Sequence, residues 1–489
     1  MRNPIVQLQM AVGFRHCGVC SLGSVVKGSV VKSGLFDITE CSLAETSRAS
    51  ESEGRDPSIP VAQSTSTSTI VDLARKITAA AEVIDGVTSE NNFILSFDAD
   101  SPDPSSLTGE NAQTYQQARV AVLEAANEMN ALLSGHSGVV FDLCTYVHVA
   151  STLRTILTFN LASSIPVTGS TPYDAIAKET DNLDKKTIQR LFAILTDHHI
   201  FSQPSPGHVS HTRLSKAMLT NPGLAAITKF SFEELYGFSY HLTEALKKWG
   251  SSEEPNETGF NAATGSASTL YAYIDENRDK ASPSAFTAVL EQTGSYEFAA
   301  TDGVVEAVDW EGLGEGVFVD VAGSVGHVSI ELAKRYPHLQ FIVQDYGSVI
   351  QRGEAALPAE LQNRVRFEAK DMFEEQKVIP DKKVVYFLRA ILHNWSDKYA
   401  RRILQAIVPA LKPGDRIVVN EQIVTDGMGS LLERMVRLND MNMWAAFNGQ
   451  ERTAEQFEQL VRTVHPGLRI VRISSSTLGT GVIEIELHS

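Results

Sequence analysis

The chain has 489 residues and 43% apolar content, enough for two or three packed domains, and its formal net charge of −17 argues against broad attraction to nucleic acid or anionic lipid. Only four cysteines occur, Cys17, Cys20, Cys41 and Cys144, which argues against a disulfide framework and for a reducing compartment. No apolar run approaches the roughly 18 residues of a spanning helix, so a cytoplasmic protein with a neutral or cationic small-molecule partner, and with no nucleic-acid or membrane partner, is expected.

Residues 1–64 lack carboxylates until Asp37 and carry Arg2, Arg15, Lys27 and Lys32, a pattern open to a transit segment; the Ser/Thr/Glu-rich run that follows favours a disordered extension. Cys17-x-x-Cys20 beside His16 has no second Cys/His pair and is not expected to bind metal. "SRASESEGRDPSIPVAQSTSTST", 47–69, reads as a linker. Thr69-x-x-Asp72 then opens a helix with Ile70, Leu73, Ile77 and Ile84 at helical spacing, and a second helix is predicted over about 113–134, giving a helical segment over 65–135. Within 136–250, three helices precede two short strands around "IFSQPSPGHVSHTRL", a winged-helix order in which Asp184 caps the helix bearing Ile188, Leu191, Phe192 and Leu195. Mixed local charge and an acidic whole favour dimerisation over DNA contact. His198, His199, His208 and His211 gather there without a carboxylate or Cys and are read as turn and wing residues.

From about residue 310 strands alternate with helices: 317–322, 340–345, 364–371, 384–392 and 416–424, closed by a hairpin of 469–474 and 482–487. The pattern predicts an α/β domain over 251–489, a Rossmann-like doubly wound sheet with a closing antiparallel hairpin and a ligand at the carboxyl ends of the strands.

Those ends carry the chemistry. The first strand runs into Ala322-Gly323-Ser324-Val325-Gly326, where small residues let a ligand approach the backbone, and the second ends in Asp345, able to accept from both hydroxyls of a ribose. An adenosine cofactor fits this pair, although any doubly wound fold needs a tight first turn and the dinucleotide fingerprint is incomplete. Asp371 and Met372 follow the third strand, where they could meet an adenine or simply cap the strand end. Arg389 and His393, four residues apart toward the carboxyl end of the fourth strand, are expected on one face of it, and Ser396 or Asp397 can cap the following helix. Glu421 at the end of the fifth strand and Glu451 in the exposed-looking "NGQERTAEQF" offer carboxylates to hold that histidine as a general base. Within "ERMVRLNDMNMWAAFNG", Met441, Met443, Trp444 and Phe447 could clasp a planar ring, with Asp440 or Asn442 at a hydroxyl, or could fill core.

"VDVAGSVGHVSIELAKRYP", "FIVQDYGSVI", "KDMFEEQ", "LRAILHNWSDKYARRIL", "IVVNEQIV" and "NGQERTAEQF", in that order, resemble the metal-independent, S-adenosylmethionine-dependent O-methyltransferases of phenolic natural products, the fungal branch in particular, over about 65–489. By position the resemblance implies His393 as base, Glu421 and Glu451 as its orienting carboxylates, Asp345 as ribose partner and Asp371 with Met372 around the adenine. It also implies Gly323 and its neighbours as the methionine-side turn, Arg389 at the cofactor's methionine end, and a homodimer through the N-terminal helical and winged-helix region. Ala322 and Ser324 stand where the family has glycines, and Arg389 where many relatives have lysine, so the turn is expected to crowd the cofactor and the donor geometry to change. Rival readings are a catalytically silent binding or regulatory protein, a nucleotide-dependent oxidoreductase and a metal-dependent catechol methyltransferase.

Overall fold

A computed structural model describes residues 69–278, 284–291, 304, 307–425, 430–475 and 480–488. Cys17, Cys20, Cys41, His16 and nearly all of the expected extension and linker lie outside the described residues.

Helix α1 (Ile70–Glu90) begins as its sequence predicts: the Asp72 amide donates to Thr69 Oγ1 at 3.1 Å and the Asp72 side chain returns to the Thr69 backbone. It packs on α2 (Gly109–Thr158), two helical segments that meet at a kink, the first ending close to the expected residue 134. Gly135 makes the kink, with φ 61° and ψ −177°, a conformation outside the helix that only glycine adopts readily. The kink lies beside the division expected at 135/136.

A small antiparallel sheet follows, in the order β1 (Ser170–Pro172), β3 (His208–His211), β2 (Phe201–Ser202); β1 is an addition to the two strands predicted. With α3 (Tyr173–Glu179) and α4 (Lys185–Asp197) it closes over fully buried Ile176, Ile188, Phe192, Leu195 and Val209. Asp184 caps α4 by accepting from the Thr187 amide at 2.8 Å. The wing histidines have separate partners: His199 stacks on Phe97, and His211 meets Ser215 Oγ at 3.0 Å. Among the described residues no group of three or more His, Cys, Asp or Glu could hold a metal ion, and no helix is long and apolar enough to cross a membrane.

The large sheet has the order β10-β11-β8-β7-β4-β5-β6, with strands β4 (Val317–Val321), β5 (Gln340–Asp345), β6 (Val365–Ala369), β7 (Val384–Arg389), β8 (Arg416–Val424), β10 (Leu468–Ser475) and β11 (Thr480–Leu487). Strands β4 to β8 are parallel, while β11 runs antiparallel between β8 and β10, and short β9 (Arg452–Thr453) pairs with the end of β8. Successive side chains alternate faces, so Val319, Val321, Tyr386 and Leu388 enter one core and Phe318, Phe341, Val385 and Phe387 the other. Burial on both faces is why these strands read as continuous apolar runs. The chain leaves β4 toward β5 on one side, and β7 lies on the other. The crevice above β4 and β7 is thus a topological switch point, where such sheets bind ligands.

Candidate active site

The turn after β4 is held tightly from below. A Cβ on Gly323 would lie 2.4 Å from Asp320 Cγ, so only glycine fits there. Asp320, 3% exposed, bonds Ser329 Oγ at 2.7 Å, and burial pushes its pKa up to about 7 despite Ser329 and the nearby Arg389 charge. Ala322 (φ 56°) and Ser324 (φ 54°) both take the left-handed conformation that suits glycine. The departures from glycine thus appear as backbone strain at two positions.

Asp345, at the tip of β5, braces this turn: Oδ2 accepts the Ser324 amide at 2.8 Å and Oδ1 the Tyr346 amide at 2.7 Å. Each oxygen keeps lone-pair capacity for a further donor, and burial raises the carboxyl pKa against those two bonds. Arg389 ends β7, half-buried, its pKa lowered by burial and supported by the Asp320 charge. Helix α5 (Leu270–Asn277) reaches the same region, where Asp275 accepts from Ser348 Oγ at 3.2 Å. A carboxylate suited to vicinal hydroxyls, a guanidinium suited to a carboxylate and a turn admitting close backbone approach fit an adenosyl amino acid. Asp371 is exposed and accepts the Phe373 amide at 2.9 Å through one oxygen, while Met372 packs against the core on one face of the sheet.

The expectation that His393 continues β7 on one face with Arg389 is corrected. The strand stops at Arg389, Ala390 turns with φ 51°, and Leu392–Asn394 form a short 3₁₀ turn. Glu421 causes this. Its Oε1 collects the amides of Ile391 (3.1 Å), Leu392 and His393 (3.2 Å), three donors converging on one buried oxygen. Glu421 therefore orients the backbone under the histidine and bonds no atom of its ring, which corrects the expectation of two carboxylates on the imidazole. Burial raises the Glu421 pKa, opposed by the His393 and Arg452 charges.

Among the described residues Glu451 alone holds the ring: Nδ1 lies 2.8 Å from Oε1. The turn that carries it looked exposed in sequence, yet the Glu451 side chain is 0% exposed and that of His393 is 15% exposed. Because carboxylate Oε1 can only accept, Nδ1 carries the proton and Nε2 is left as the acceptor. Burial alone would lower the His393 pKa; the Glu451 charge and hydrogen bond, with Glu421 behind them, outweigh it and hold the ring above the ordinary histidine value.

Three neighbours of this pair carried no readable signal. Arg452, fully buried, donates to the carbonyls of Leu392 (2.9 Å) and Trp395 (2.8 Å) and to Asp397 Oδ1 (2.9 Å), tying β9 to the histidine turn. Asn439, on α8 (Leu431–Phe447), donates to Glu451 Oε1 at 2.7 Å. Gly449 lies so close that a Cβ would stand 2.1 Å from the His393 carbonyl. Arg452 also explains the start of α7 (Asp397–Ile407). Ser396 is the N-cap, but its hydroxyl donates to the Glu253 carbonyl at 2.9 Å, and Asp397 is taken by Arg452 and by Gln450 at 2.7 Å.

Helix periodicity separates the residues expected to form one substrate clasp. Asp440 accepts the Glu451 amide at 2.8 Å and so braces the loop, with burial raising its pKa. Met441 lines a cavity of about 440 Å³ toward α2, with Asn127, Arg434 and Leu438. Phe447 is core, stacked on Tyr271 at 5.3 Å, and Met443 packs against the same cluster. Asn442 is half-buried and Trp444 exposed.

Solved structures with this architecture include OxaC, 20% identical with a TM-score of 0.66 over 85% of this chain and all of that one, and LepI in complex with S-adenosylmethionine, 19% identical with a TM-score of 0.64 over the same shares. The fold is that of a Rossmann-like methyltransferase preceded by a helical region. In sequence, an O-methyltransferase domain is matched over residues 240–464. O-methyltransferase VdtC of Byssochlamys spectabilis is 32% identical over 368 residues, 74% of this chain and 84% of its own, and O-methyltransferase CTB2 of Cercospora beticola is 32% identical over 429 residues, 85% and 92%. The chain belongs to this fungal family of S-adenosylmethionine-dependent O-methyltransferases.

Proposed function

We propose that the chain methylates a phenolic hydroxyl of an aromatic secondary metabolite, with His393 as general base and no metal. The observation that carries this reading is the His393–Glu451 pair, a single-tautomer imidazole with an accepting Nε2 at the sheet's switch point. When bound, S-adenosylmethionine supplies an electrophilic methyl group. Asp345 holds its ribose, the 322–326 turn and Arg389 its methionine end, and Asp371 with Met372 borders its adenine. A phenol with a pKa near 10 is un-ionised at neutral pH, so His393 Nε2 takes its proton as the oxygen attacks, and Glu451 stabilises the resulting imidazolium. Glu421 keeps the turn from shifting the ring. Asn442, Met443 and Trp444 border the acceptor.

The same reading places the enzyme in the cytoplasm, in keeping with the exposed free thiol of Cys144. It makes the chain a homodimer through α2, where Phe141, Leu143 and Tyr146 are 67%, 74% and 63% exposed. It divides the chain into an extension (1–64), a helical segment (65–135), a winged-helix dimerisation domain (136–250) and a catalytic domain (251–489).

The test is His393→Ala with labelled cofactor and a panel of phenols. Calorimetric cofactor binding should persist while turnover falls about 10²–10⁴-fold. Full turnover by the variant on any accepted phenol would remove His393 from the chemistry, and failure of wild type to label any phenol while it binds cofactor would favour a silent binding protein.

A further inference from the structure

Glu451 is held from α8 at two consecutive residues. Asp440 takes its backbone amide at 2.8 Å, and Asn439 Nδ2 reaches its side chain. The Asn439 contact is to Oε1 at 2.7 Å, the same oxygen that His393 Nδ1 meets at 2.8 Å, while buried Oε2 has no hydrogen-bond partner among the described residues. The other proton of the Asn439 amide goes to Gln422 Oε1 at 3.1 Å. Both acceptors fix the amide's orientation, since a flipped Asn439 would set its carbonyl oxygen against a carboxylate. A chain of hydrogen bonds thus runs from Gln422 on β8 through Asn439 and Glu451 to the imidazole.

We propose that Asn439 is a positioning residue of the methyl-transfer reaction, which shares Glu451 Oε1 with His393 and so tempers the hold of the carboxylate on the ring. This inference rests on the reading of His393 as base. A donor on a carboxylate oxygen stabilises its charge independently of the histidine. Without that donor the buried charge depends more strongly on the imidazolium, and the imidazole becomes more basic. The other charged groups facing the pair are Glu421 from β8, Arg452 from β9 and Asp440 from α8. None of them is altered by a substitution at 439.

The test is Asn439→Leu, similar in volume but without a donor, read by NMR titration of the His393 ring and by the pH dependence of kcat/KM. The His393 pKa should rise by up to about 1–2 units, the ceiling set by losing one hydrogen bond to a charged group, and the acid limb of kcat/KM should move up with it. Gln422→Met, which only loosens the Asn439 amide, should shift both readouts the same way by less, and it serves if Asn439→Leu does not fold. An unchanged or lowered His393 titration in a folded variant overturns the proposal. The NMR readout requires no turnover, so it stands apart from the base reading, which fails instead if His393→Ala remains active.

Discussion

Arg452→Met should destabilise the fold sharply. The wild-type guanidinium is fully buried and supplies the carbonyls of Leu392 and Trp395, at 2.9 and 2.8 Å, and Asp397 Oδ1 at 2.9 Å. Methionine fills much of the same space and donates nothing. The Trp395 carbonyl is left without its donor, at about 1–3 kcal/mol, whereas the Leu392 carbonyl keeps the Trp395 amide at 3.1 Å and loses one bond of two, at about 0.5–1.5 kcal/mol. The Asp397 side chain is 48% exposed and also takes Gln450, so its loss adds little. The sum is about 1.5–4.5 kcal/mol. Urea unfolding of the purified enzyme reads this directly from the midpoint at unchanged slope. Arg452→Lys should recover only part, because one ammonium cannot reproduce the fork that spans these acceptors. A loss below about 1 kcal/mol in Arg452→Met would refute the claim that this residue holds the histidine turn to the Glu451 loop.

Ala322→Gly and Ser324→Gly should each stabilise by about 0.5–1 kcal/mol, since relief of a left-handed non-glycine residue exceeds the entropy cost of glycine; destabilisation by either in urea unfolding would contradict the strain reading. Asp320 binds its proton in the fold up to about pH 7 but only to about 3.8 when unfolded, so its contribution is full at low pH and is lost as pH rises from about 3.8 to 7. Asp320→Asn should flatten that part of the stability curve, and an unchanged slope against wild type would count against the buried acid.

The sheet was legible because its central strands are apolar on both sides: β5 and β8 fall on their predicted ranges, and β4 and β7 begin where expected. The two features misread near the site share one cause. Where β7 stops is decided by Glu421, 28 to 30 residues away in sequence, whose carboxylate captures the next three amides. The burial of Glu451 is likewise set by contacts from α8 and the histidine turn, so a polar string such as "NGQERTAEQF" gives no sign of it. Arg452 and Asn439 escaped notice for the same reason. A single arginine or asparagine has no periodicity, and its meaning lies in partners that only the fold brings near. Gly135 shows the converse, a residue type whose local conformation interrupts the helix close to the end expected from the sequence.

The role of the His393–Glu451 pair is best read from the acid limb of kcat/KM in wild type and in Glu451→Gln. The base works unprotonated, so in wild type the rate should fall as pH drops through a pKa above 6.5, the ordinary histidine value. Removing the Glu451 charge should move that limb to lower pH and reduce the plateau. An acid limb that stays in place, or moves upward, would contradict a base whose strength is set by Glu451.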